Sequence, residues 1–403
     1  MPLLKSPLTS QSSLSIRLIL FSVLTIGIGQ SMTFSLLAPL GREAGLREVQ
    51  IGLIITCSSL CFTLMSPVWG RLCDRWGRKP VLLLGLGGYV VGCSLFATMF
   101  LLGSRGHLSG LTLYALIITS RVLMASLMSA SPSAASAYIA DTTSTEQRVA
   151  GMGRLGASRT LGAILGPALS GLLALFGLIA PLYIAAAITL LSTILIAVIL
   201  REPQRNTGEE IPKSRLKWID KRYFPYILVG FLTFFSFSMM SQTIGFYFQD
   251  RFILDGRQTA HALGTGMMFS ALMSFFSQSF LAGHLQMRPL QLMRLGLPIL
   301  ILGYGLLPFL HHLPLVFTDL ALLGLGLGLV APGFTAGASL AVGPTEQGAI
   351  GGIVSACPAA GFILGPVIGT TLYQWNDSLP YICSALLMAP LIIYVWRLGE
   401  RYR

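Results

Sequence analysis

Twelve stretches of about twenty apolar residues constrain this chain more than any other feature, because a helix of that length matches the hydrocarbon thickness of a bilayer. They fall at 16–40, 50–70, 80–102, 111–139, 150–175, 179–200, 223–249, 260–283, 290–310, 315–340, 347–373 and 379–397. Inside lipid every backbone N–H and C=O must be bonded within the protein, so runs this long are predicted as transmembrane helices. The chain is 54% hydrophobic and only 10% charged, whereas a soluble domain carries about 25% charged residues. The first run is too long for a signal-peptide core and lacks a clear cleavage site, so it reads as a retained first helix.

A polar break at 201–222 separates six spans from six. It holds seven cations and four acids together with Pro203, Gly208 and Pro212, the composition of a linker. The expected organisation is a bundle at 1–200, a cytoplasmic linker at 201–222 and a second bundle at 223–403. Of the 27 Lys and Arg residues, 20 fall in the tails and the odd-numbered loops, counting the span ends that adjoin them. By the positive-inside rule both termini are then cytoplasmic. Net charge is +12, yet the cations form no patch interleaved with aromatics, so no nucleic-acid partner is expected. Six cysteines lie in or at the ends of apolar runs with no Cys-x-x-Cys pair. They read as packing residues, and neither a metal nor a cofactor is expected.

The halves are related. Pro132, Glu146-Gln147 and Gly166-Pro167 answer to Pro332, Glu346-Gln347 and Gly365-Pro366, an offset of 200 that becomes 199. A parallel repeat of this kind predicts two six-helix bundles related by an axis along the membrane normal.

Between the second and third spans lies Gly70-Arg71-Leu72-Cys73-Asp74-Arg75-Trp76-Gly77-Arg78-Lys79. Gly70 and Gly77 suit a short helix-to-helix turn, and its four cations hold it on the cytoplasmic side. The run resembles the signature loop of the major facilitator superfamily, G-x-L-x-D-R-x-G-R-[KR], matching at Gly70, Leu72, Asp74, Arg75, Gly77, Arg78 and Lys79. The resemblance implies an all-α membrane protein of twelve transmembrane helices in two pseudo-two-fold-related bundles, working by alternating access. It also implies that Asp74 docks on the N-terminus of the eleventh helix near Gly348, where the helix dipole favours an anion, and that Arg78 pairs with Asp141. Together with Arg75 and with Arg148 at the opening of the fifth span, these residues would latch the outward-open state. The second copy of the loop, around Gly283-His284-Leu285, has lost its Asp and most of its charge.

The fifth span reads Gly153-x8-Gly162-x3-Gly166-Pro167-x2-Ser170-Gly171. It resembles the motif that marks the drug:proton antiporter, or exporter, branch, with Ser170 in place of a Gly. Gly162, Gly166 and Ser170 make a smooth stripe against which another helix can pack and slide, and Pro167 interrupts the backbone ladder.

Arg121 lies near the middle of the fourth span, where a lone cation costs at least about 2.5–3.5 kcal/mol and should face an internal cavity. It resembles the fourth-helix Arg that the family assigns to proton coupling, although Met124 and Ala125 replace the residues that usually follow. Arg159 is similarly deep in the fifth span, within about 20° of Gly166 on a helical wheel. Buried acids are few: Asp319 lies inside the tenth span and Asp250 ends the seventh, while Gln30 stands where many multidrug exporters have a carboxylate. Two arginines with few anions point to an anionic ligand.

The expected function is proton-coupled export of a small organic molecule, a carboxylate such as a siderophore being favoured and multidrug efflux of lipophilic compounds the alternative. A non-transporting sensor or scaffold of the same fold is the remote alternative. No span assembles a nucleophile, a base and an oxyanion site, so no enzyme is expected. The expected partners are the lipid bilayer, the small-molecule substrate and protons, with the chain a multi-pass monomer in a bacterial inner membrane.

Overall fold

The computed structural model describes residues 10–143, 145–203, 217, 220–282, 287–343 and 346–401. These residues form thirteen α-helices: α1 Ser10–Glu43, α2 Glu48–Trp76, α3 Arg78–Ser104, α4 Gly110–Met128, α5 Ala130–Thr142, α6 Thr145–Leu173, α7 Ala180–Ile199, α8 Phe224–Phe252, α9 Gly256–Phe276, α10 Pro289–Leu306, α11 Leu313–Leu340, α12 Gln347–Trp375 and α13 Leu379–Arg401. Among the described residues, eleven helical stretches are long and apolar enough to cross a membrane. The eighth predicted span exists as α9 and the π-turn Ser277–Ala282, but α9 also takes in Arg257 and Gln258 ahead of the span, and His261 dilutes its apolar run.

The fourth predicted span is the pair α4 and α5, interrupted at Ser129. Pro132 has no N–H to donate to the preceding turn, and its ring crowds the carbonyl of Met128. Its counterpart Pro332 sits inside an unbroken α11. The start of α5 presses on α3 at Gly85, where an added Cβ would stand 2.6 Å from the Ser131 nitrogen.

The turn between the second and third spans is a single residue. α2 continues through Trp76 and α3 begins at Arg78, so Gly77, with φ +102°, makes the whole reversal. Gly70 corrects the sequence expectation: it lies inside α2 with nothing within 4 Å of an added Cβ, so the turn does not require its freedom. The second copy of the loop at Gly283-His284-Leu285, most of the 201–222 linker and the side chain of Arg148 lie outside the described residues.

By contacts the chain forms two compact units. One comprises Met1–Thr33, Leu60–Gly166 and Ile179–Gly208; the other comprises Phe34–Ser59, Pro167–Leu178 and Glu209–Arg403. In the first, α3 is the central helix, packing on α4, α5 and α7. In the second, α8 packs along α12, and α11 lies between α9 and α10. The last turns of α1 and the first turns of α2 belong to this second unit, packed with helices of the second half of the sequence.

Candidate functional site

Arg78 is the hub of the signature turn. Its Nε donates to Asp141 Oδ2 at 2.7 Å, and its Nη1 donates to Asp74 Oδ1 and to the Cys73 carbonyl, each at 2.8 Å. Arg78 and Asp141 are half-buried, at 12% and 13% side-chain exposure, whereas Asp74 is 72% exposed. The structure thus brings Asp74, Arg78 and Asp141 together, with Arg75 exposed beside them. Sequence reasoning missed Glu202. Its carboxylate accepts from the backbone N–H groups of Arg78 and, at 2.8 Å, Lys79, capping the N-terminus of α3. A Cβ on Gly77 would stand 2.7 Å from Glu202 Oε1, a second reason for glycine there.

The glycine stripe of α6 packs flush on α1. An added Cβ on Gly162 would lie 2.8 Å from Gly27 Cα, and one on Gly166 would lie 2.6 Å from the Ile28 carbonyl oxygen. Further along, Ser170 Oγ hydrogen-bonds Ser35 Oγ at 2.7 Å, and Gly171 meets α9, where Gly264 approaches the Pro167 carbonyl. Gly153 touches nothing within 4 Å of its would-be Cβ. The second half repeats the device. Gly361, Gly365 and Gly369 of α12 press on Phe234, Ser238 and Met239 of α8, with would-be Cβ contacts of 2.7–3.0 Å. The same 199-residue offset that relates Gly166-Pro167 to Gly365-Pro366 carries Gly162 onto Gly361 and Ser170 onto Gly369, so this stripe was findable from sequence.

Arg121 is enclosed. It is 1% exposed, its guanidinium 5.8 Å from the Phe96 ring centre and its Nη1 3.8 Å from Met124 Sδ. Fully buried Tyr89 and Cys93 of α3 fall on the same side, Tyr89 being accommodated by Gly29 of α1. Arg159 of α6 is exposed and Gln30 of α1 is half-buried. The two arginines therefore do not offer equivalent forks to one ligand in this structure.

Asp319 of α11 is 5% exposed, and neither carboxylate oxygen has a hydrogen-bonding partner among the described residues. It faces α10, where Gly303 leaves room for it and Tyr304 is buried alongside. Asp250, at the end of α8, is instead engaged by Arg42 of α1 and Tyr373 of α12. Sequence reasoning missed this cluster. Half-buried aromatics gather nearer the middle of the helices: Phe34 of α1 stacks on Phe362 of α12 with ring centres 5.8 Å apart, and Phe237 of α8 meets Phe362 edge-on at 6.4 Å.

Long apolar helices, two related halves and paired glycine stripes define a polytopic helical membrane protein of the transporter type. The Major Facilitator Superfamily model matches residues 19–366, and the chain belongs to that family. It is 24% identical over 392 residues to multidrug resistance protein 1 of Bacillus subtilis, covering 94% of this chain and 95% of that one. It is 28% identical over 353 residues to the class C tetracycline resistance protein of Escherichia coli, covering 83% and 84%. Among solved structures, a bacterial homologue of the human lysosomal transporter Spinster, inward-facing and occupied, superposes with a TM-score of 0.75 at 13% identity over 98% of each chain. That likeness concerns the fold.

Proposed function

We propose that this transporter is a proton-driven exporter of planar lipophilic molecules, inserted with both termini in the cytoplasm and working as a monomer by alternating access. The distribution of cations supports the orientation, and the resistance proteins among its relatives support export of drug-like compounds. The observation that carries the substrate class is the aromatic group of Phe34, Phe237 and Phe362, contributed by α1, α8 and α12. Half-buried aromatic faces attract flat apolar ligands. The proposed halves are 1–200 and 223–403, joined by the linker 201–222. The packing of α6 on α1, repeated by α12 on α8, supports that division. In the outward-open state Asp74 leaves Arg78 and caps the eleventh transmembrane helix near Gly348. Asp319 is the proposed proton carrier.

A carboxylate substrate such as a siderophore is the second reading. It rests on Arg159, an exposed guanidinium within a span, whereas Arg121 is closed off by Phe96 and Met124. A competition assay on the purified protein, with anionic, neutral and cationic aromatic probes of similar size, separates the two. The lipophilic reading expects the neutral and cationic probes to bind best, with Phe362→Ala weakening both by about tenfold, the scale of one aromatic contact. Preference for the anion, lost in Arg159→Gln, would install the organic-acid reading in its place.

A further inference from the structure

In the second unit, four helix ends meet around one ion pair. Both terminal nitrogens of Arg42 donate to the two carboxylate oxygens of Asp250, Nη2 to Oδ2 at 2.7 Å. The same Nη2 reaches Glu48 Oε1 at 2.8 Å, and the guanidinium lies 4.9 Å from the Phe246 ring centre. Tyr373 Oη donates to Asp250 Oδ2 at 2.7 Å, and Gln374 Nε2 donates to Glu48 Oε2 at 3.2 Å. The ends of α1, α8 and α12 and the start of α2 are thereby tied together. Side-chain exposures of 25% for Arg42 and 43% for Asp250 place the pair partly out of water.

Arg42 and Asp250 also occupy equivalent places in the two halves. Each stands three residues before a left-handed residue, Gly45 with φ +74° and Ile253 with φ +53°. Each turn then closes the same way: Gln50 Oε1 accepts from the Arg47 N–H at 2.8 Å, and Gln258 Oε1 accepts from the Asp255 N–H at 3.0 Å. All of these pairs are separated by the 208 positions that separate Arg42 from Asp250. Repeat-equivalent positions that meet would repel if they carried the same charged residue. Here they carry opposite charges in bidentate geometry, the strongest form of ion pair a guanidinium makes.

We propose that the Arg42–Asp250 pair, braced by Tyr373, is the gate on the external face, and that it must break for substrate to leave. This rests on the alternating-access reading above. It assigns Asp250 to gating, leaving proton transfer to Asp319. Opening this gate separates the ends of α1 and α8, and alternating access requires the cytoplasmic face to close in compensation.

The test is hydrogen–deuterium exchange on the full-length protein in lipid nanodiscs, comparing peptides across 40–50 and 249–258 with those across 70–79. Asp250→Asn and Arg42→Gln should each raise exchange at the two external turns by about threefold or more, the scale of one lost ion pair, while exchange across 70–79 falls. The double variant should shift no further than either single one. Unchanged exchange at the external turns, additive shifts, or a rise at both faces would overturn the gate. Should Asp250→Asn fail to insert, Tyr373→Phe removes one hydroxyl from the same carboxylate and should shift exchange in the same directions to a smaller extent; no shift there overturns the gate too. Because exchange needs no substrate, a reciprocal shift in a protein that moves none of the probes would defeat the transport reading while leaving the gate standing.

Discussion

Arg78 holds two acids at once, Asp141 at 2.7 Å in a half-buried pair and Asp74 at 2.8 Å at the surface, and the two are expected to respond differently to mutation. Asp141→Asn leaves a half-buried guanidinium short of its charged partner. It should cost about 1–3 kcal/mol, read as a lowered melting temperature in detergent. Asp74→Asn removes an exposed partner worth about 0–1 kcal/mol, so insertion and melting should stay near wild type. Its transport should nevertheless be severely impaired, because the latch on the eleventh transmembrane helix needs the charge. Normal transport by a fully inserted Asp74→Asn protein would remove the latch.

At Gly166 an added Cβ would meet Ser31 Oγ first, which can rotate away, and then the Ile28 carbonyl at 2.6 Å and the Met32 nitrogen at 3.0 Å, which as backbone cannot. Gly166→Leu must push α1 away, at an overpacking cost of about 1–3 kcal/mol, and should slow turnover far more than substrate binding. Gly156→Ala, on the same helix with nothing within 4 Å, is the control and should behave as wild type. Equal loss of binding and turnover in Gly166→Leu would point to misfolding instead of a blocked helix movement.

What could be read from sequence was what is local or repeated. The apolar runs marked the helices because lipid leaves the backbone few alternatives, and one Asp among four cations at 70–79 marked the charged turn, whose resemblance to the family's signature loop implied the pairing of Arg78 with Asp141. The Arg42–Asp250 pair was not legible. Its members lie 208 positions apart, and each alone looks like an ordinary charge at a helix end. Their equivalence emerges from the matching left-handed turns at Gly45 and Ile253, of which only the glycine announces itself in sequence. Pro132 and Pro332 show the same limit. Identical residues at related positions accompany a broken helix in one half and a continuous one in the other, a difference the repeat itself does not carry.

Arg222 makes another exposed ion network, donating to Asp220 at 2.9 Å and to Glu346 at 3.0 Å. Hydrogen bonds from Arg222 hold both carboxyls below their ordinary range, and the two acids raise the guanidinium in return. A carboxylate whose folded pKa is depressed adds stability above its unfolded pKa and loses it as pH falls. The contribution should therefore be complete at neutral pH and fade from about pH 4.5 downward. Melting curves between neutral and acidic pH should show Arg222→Gln less stable than wild type at pH 7 and converging with it in acid. Parallel curves would mean that the network adds nothing to the folded state.

The burial of Asp319 works against stability and so calls for a functional reason. A carboxyl at 5% exposure with neither oxygen hydrogen-bonded among the described residues costs free energy that an apolar or amide side chain of similar shape would largely avoid. Asp319→Asn should accordingly melt at or above the wild-type temperature. If the carboxyl carries the coupled proton, the same variant should lose uphill transport, since an amide can neither take up nor release one at this depth. The measurement uses proteoliposomes with an imposed pH gradient. Wild-type protein should concentrate the substrate, whereas Asp319→Asn should only equilibrate it, with exchange down a substrate gradient preserved. Gain of stability together with loss of coupling is the signature of a group kept for function. Undiminished accumulation by the variant would place the proton elsewhere and make Arg121, enclosed by α3 and α4, the next residue to test.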